Sequence, residues 1–147
     1  MARELYAAFA AQWDLRPFHR LQAAESRHEE ALRALAARAG VALPPTAPGK
    51  FADAVLQQRH DTLRARGLIS AAEARTAGEA IERQDLSDLR QLLAVLKNEA
   101  FRTVADNLAR ATERHLAAFS GEPGRGLRAR AERPGAGCAQ AGRRAST

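Results

Sequence analysis

Apolar side chains recur every three or four residues through most of the first 120 positions, the spacing that lines one face of an α-helix. Tyr6, Phe9 and Trp13 mark a first helix, from Ala2 to Trp13. Asp14 to Pro17 makes a short turn, and Pro17 suits the first position of a second helix that runs to Arg38. Gly40 is a natural C-terminal cap, and no helix can traverse the segment VALPPTAPG, Val41 to Gly49. A shorter helix spans Phe51 to Arg66 and closes at Gly67. Ser70 to Glu73 reads as a capping box opening a long helix towards Lys97, and the last helix runs from Asn98 to Ser120 and Gly121. The pattern predicts an all-α protein with four principal helices and one shorter crossover helix, without an internal repeat.

The seams are not uniformly apolar. In the second helix the inward positions are Phe18, Leu21, Glu25, His28, Leu32 and Leu35; in the long fourth they are Ala74, Gly78, Glu82, Asp85, Leu89, Leu92 and Leu96. The last helix places Phe101, Val104, Leu108, Ala111, His115 and Phe119 on one stripe, with Thr112 one turn before His115. Three helices thus direct metal-competent side chains into one interior. An unpaired carboxylate there costs several kcal/mol, a penalty that a bound cation or a protonated histidine offsets. Glu25 and His28, three residues apart, can offer an oxygen and a nitrogen from one face. The candidate metal ligands are therefore Glu25, His28, Glu82 and His115, with Asp85 as an extra carboxylate or an acceptor for a ligand histidine.

Simpler readings stand beside these. Glu25 and His28 could form a buried hydrogen-bonded pair without metal, and Asp85 could belong to a kink in QDLSDL, Gln84 to Leu89. His19 and His60 fall off the stripes and read as surface residues. Tyr6, Phe9 and Trp13 read as core packing, with Tyr6 close enough to the site to act as a hydrogen-bond donor or redox-active neighbour. Glu29, Glu30 and Arg33 read as a solvated helix face.

Composition narrows the class further. The apolar residues are mostly Ala and Leu, which favour helix over sheet. No run of about 18 apolar residues exists and MARELYAAFA lacks a signal-peptide layout, so a soluble cytoplasmic protein without a membrane partner is expected. Cys138 alone cannot form an internal disulfide. The net charge is +6, but six arginines against two glutamates put +4 of it in Gly121 to Thr147 and leave +2 for the rest. That segment holds six of the ten glycines and almost no large apolar residue, so it is expected to be a disordered basic tail, residues 121–147, behind a helical domain of residues 1–120. Nucleic acid is expected as a partner only through this tail.

Several segments resemble an uncharacterised, rubrerythrin-related family of the ferritin-like superfamily. They are ARELY (Ala2 to Tyr6), AESRH (Ala24 to His28), RARGLIS (Arg64 to Ser70), GEAIERQDLSDL (Gly78 to Leu89) and NLARATERHLAAF (Asn107 to Phe119), in the family's order over Met1 to Phe119. The resemblance implies a ferritin-like antiparallel four-helix bundle and a carboxylate-bridged dinuclear centre, typically of iron, reacting with dioxygen or peroxide. Two ligands of that pattern are missing. The family's first Glu would fall two residues before Met1, and Thr112 stands where a second Glu-x-x-His motif needs Glu. A Thr hydroxyl is a poor ligand, so an impaired or mononuclear site, or a chain start placed too late, is expected.

Two function classes follow. One is a metal-binding protein, of iron or another divalent ion, with oxidase- or peroxidase-type chemistry at Glu25, His28, Glu82 and His115. The other is a non-catalytic helical interaction module that has lost its centre. The sequence leaves enzymatic activity open, and both classes allow a homodimer.

Overall fold

The computed structural model describes residues 1–45 and 47–120. It is all-helical, with α1 (Ala2–Trp13), α2 (Arg16–Arg38), α3 (Ala54–Gly67), α4 (Ala71–Val95) and α5 (Glu99–Ser120), and no strand among the described residues. The segment expected to be a basic tail, residues 121–147, lies outside the described residues.

Local chemistry sets the helix ends. Gly40, at φ 70°, lets the Gly40 and Val41 amides fold back on the carbonyls of Ala37 and Ala36, the Schellman closure expected of a glycine just past a helix. The Ser70 hydroxyl accepts from the Glu73 amide at 3.1 Å, while the Glu73 carboxylate binds the Arg66 guanidinium. α3 starts later than the Phe51 expected from sequence, because the Asp53 side chain caps it by accepting from the Leu56 amide at 2.8 Å. Asn98 caps α5 in the same manner, through the Phe101 amide. α1 ends on Asp14 in the left-handed region, φ 46°, a conformation that aspartate tolerates better than most side chains.

The helices pack as two antiparallel pairs. Arg3, near the start of α1, meets Glu29, well into α2, at 3.1 Å; Arg102, near the start of α5, donates to the carbonyl of Leu93 near the end of α4. The pairs meet through α1 on α4 and α2 on α5, and α3 lies against α1 and α4. At one end an aromatic core ties them together. Phe18 sits with ring centroids 5.8 Å from Tyr6, 5.4 Å from Phe9 and 5.6 Å from Phe119. Tyr6, Phe9 and Phe18 are fully buried. Two glycines permit this closeness. A Cβ on Gly78 would stand 2.5 Å from the Phe119 ring, and one on Gly67 would stand 2.2 Å from that of Phe9.

Two further expectations need correction. His60 is buried, not on the surface: its ring packs on Phe51 at 5.2 Å, beneath the turn around Gly49, with Nδ1 2.9 Å from the Asp61 carboxylate. Leu32, placed on the α2 seam, is 40% exposed, because it borders an open cleft instead of packing into the core. His19 lies at the surface as expected. No helix among the described residues is long and apolar enough to cross a membrane.

Candidate metal centre

Next to the aromatic core, four of the five candidate ligands converge. Glu25 and His28 come from successive turns of α2, Glu82 from α4 and His115 from α5. Glu25 Oε1 lies 3.2 Å from His28 Nδ1 and 3.1 Å from His115 Nδ1, and Glu82 Oε2 lies 3.5 Å from the same His115 nitrogen. The two imidazoles stack at 5.1 Å with 17° between planes. Glu25, His28 and His115 each offer a ligand atom within 4.8 Å of the others. Glu82 and Asp85 are not part of that group. Asp85 lines the cleft beside Glu25 and His28, where burial and then its negative neighbours raise its pKa.

Burial makes this cluster costly. Glu82 has no exposed surface and Glu25 is 8% exposed. Tyr6, read as core packing with an option on the site, does both: its hydroxyl donates to Glu82 Oε1 at 2.6 Å. The other Glu82 oxygen, together with Glu25 Oε1 and His115 Nδ1, is buried without a directed hydrogen bond. These three atoms face one another. Each buried polar atom left without a hydrogen bond costs about 1–3 kcal/mol, and two carboxylate oxygens around an imidazole nitrogen form a donor set suited to a cation. The residues present therefore fit a small metal ion.

The electrostatics follow from the same neighbours. Burial works against charge on Glu25, but the His115 and His28 imidazoles outweigh it and hold the carboxyl down at about 2. Burial likewise opposes a charged His115, yet Glu25 and Glu82 carry its pKa up to about 9. At Asp85, burial, then the charges of Glu25 and Glu82, outweigh the opposing N-terminal amine and push the carboxyl up to about 7. Burial and then Glu82 raise the Tyr6 phenol well above its ordinary value, so the hydroxyl stays a proton donor. His115 Nδ1 thus stands between the Glu25 and Glu82 carboxyl groups, 3.1 and 3.5 Å away.

Thr112, on the turn before His115, is buried, and Glu113 is exposed on Arg90 at 3.1 Å, so neither adds a carboxylate to the cluster. Glu29 and Arg33, read from sequence as a solvated face, bind each other half-buried at the edge of the cleft, where Glu29 also meets Arg3 of α1.

The relatives share this architecture without a named activity. An uncharacterized protein, MJ0754, from Methanocaldococcus jannaschii is 26% identical over 121 residues, which are 81% of this chain and 65% of the relative. This chain thus spans just under two thirds of that relative's length. The crystal structure of the hypothetical protein MJ0754 from Methanococcus jannaschii superposes with a TM-score of 0.76 at 26% identity, covering 80% of this chain and 69% of the other. Residues 1–132 match the family described as "Uncharacterized protein domain (DUF2202)", and the chain belongs to that family.

Proposed function

We propose that this chain is a ferritin-like metalloprotein, an antiparallel four-helix bundle whose interior holds one metal ion, iron or another divalent ion, on Glu25, His28, Glu82 and His115. One observation carries the reading: Glu25 Oε1, Glu82 Oε2 and His115 Nδ1 are buried, mutually facing and without directed hydrogen bonds. When bound, iron would supply Lewis acidity and redox chemistry toward dioxygen or peroxide. Within the chain, Tyr6 orients Glu82 by its hydrogen bond, and His28 stacks on His115 to fix both rings. Asp85, at the cleft, provides a carboxyl that holds a proton near neutral pH.

A second reading has one observation in its favour. The raised pKa of His115 and the depressed one of Glu25 describe an ion pair that needs no metal, as in an interaction module that has lost its centre. Elemental analysis of protein purified without added metal, followed by ferrous-iron titration, separates the two. The metalloprotein reading expects about one ion per chain, since Thr112 supplies no second bridging carboxylate. It also expects loss of binding in Glu25→Ala with His28→Ala. Metal content at background in the wild-type chain, before and after titration, would overturn it.

A further inference from the structure

The interior cluster is reached from outside through a cleft of about 560 Å³, within the span of roughly 300–1,000 Å³ typical of small-molecule sites. Its floor is polar: Glu25, His28, Asp85 and Thr112 all reach it. The walls are leucines 32, 56, 89, 92 and 108, contributed by α2, α3, α4 and α5. At the mouth, Arg3 and Arg33 both bind Glu29, at 3.1 and 2.8 Å, so both guanidinium groups are already engaged by a carboxylate. The Asp88 carboxylate on the α4 side accepts from Gln84 at 2.7 Å. Shape and lining select an occupant that is apolar along most of its length and polar at its inner end.

We propose that this cleft binds a small, uncharged, largely apolar organic molecule, a fused- or single-ring aromatic or a medium-chain aliphatic compound, with one hydroxyl against the Glu25 and His28 floor. The inference rests on the metal-centre reading only for what lies at the floor. A docked helix from a second copy fits less well, because a stable protein interface covers about 800 Å² per partner, whereas this feature is concave and its rim is interrupted by the Arg3, Glu29 and Arg33 ion pairs.

α-Naphthol, neutral at pH 7 and fluorescent, is a suitable probe of the full chain, metal-free and after loading with manganese. Saturable one-to-one binding is expected, weakened about tenfold or more by Leu92→Trp, which fills the cleft, and by Leu32→Arg, which places charge at its exposed rim. Leu32 is 40% exposed, so the second variant leaves the packing intact. Bound manganese should broaden the naphthol proton resonances. In Glu25→Ala with His28→Ala, which removes the polar floor, naphthol affinity should fall about tenfold and manganese broadening should be lost. If the wild-type chain takes up no manganese yet binds naphthol in a manner sensitive to Leu92→Trp, the metal reading falls and the cleft stands. Unsaturable naphthol binding, affinity unchanged in both cleft variants, or sedimentation showing a dimer that excludes the probe would each overturn the proposal.

Discussion

The Tyr6 hydroxyl meets Glu82 Oε1 at 2.6 Å with both side chains fully buried, so the bond cannot be replaced by water. Tyr6→Phe keeps the ring packing against Phe18 and Phe119, but leaves a second Glu82 oxygen without a donor. Loss of stability by about 1–3 kcal/mol is expected in denaturant unfolding of the metal-free protein. Metal affinity should fall by about 10-fold or more, because an outer hydrogen bond aims the carboxylate. An unchanged denaturation midpoint would show that the Tyr6 hydroxyl contributes nothing to holding Glu82. At this scale the sequence was informative where polarity conflicted with position: Glu25, His28, Glu82 and His115 stood out as ionisable groups on apolar seams. His60 gave no such conflict. Its burial depends on the chain turning back at Gly49 and bringing Phe51 onto the ring, a non-local event that helical spacing does not encode.

Among the elements, the helix ends were legible where a single residue dictates the geometry, as Gly40 and Ser70 do. α3 was misplaced at its start because the residues after Gly49 include both an apolar Phe51 and a capping Asp53, and the carboxylate bond to the Leu56 amide decides between them. Gly78 is the sharper case. Mid-helix glycine normally costs about 0.5–1 kcal/mol against alanine, so propensity alone predicts that Gly78→Ala stabilises α4. The close approach of α5 predicts the opposite. A Cβ placed 2.5 Å from the Phe119 ring forces that ring, itself packed on Tyr6 and Phe18, to move. Overpacking of this kind typically costs about 1–3 kcal/mol and outweighs the propensity gain. Gly78→Ala should therefore lower Tm, and Gly78→Ala with Phe119→Leu should recover part of the loss; a higher Tm for the single variant would show that α4 and α5 separate freely.

For the whole molecule, three interior groups couple stability to pH, His115 and Asp85 losing their contribution as pH rises and Glu25 losing its own as pH falls. His115 is raised to about 9 from 6.5, so its contribution is complete below pH 6.5 and is lost as pH climbs through 9. Asp85 is raised to about 7 from 3.8, so the fold favours its neutral form, and that contribution is lost between about pH 3.8 and 7. Glu25 is depressed to about 2 from 4.5; its contribution is present above pH 4.5 and is lost only in strong acid. The metal-free protein is thus expected to be most stable near pH 4–5 and to lose Tm steadily up to pH 9. A metal ion reverses the trend. Binding must expel the His115 proton, and protons compete less as pH rises, so the Tm gain on adding ferrous or manganous ion should grow from pH 6 to pH 9. Differential scanning fluorimetry across that range tests both halves. Asp85→Asn should flatten the metal-free curve below pH 7 and leave the fall between pH 7 and 9, which belongs to His115. A metal-free Tm that rises towards pH 9 would contradict the buried imidazolium, whatever ion the site prefers.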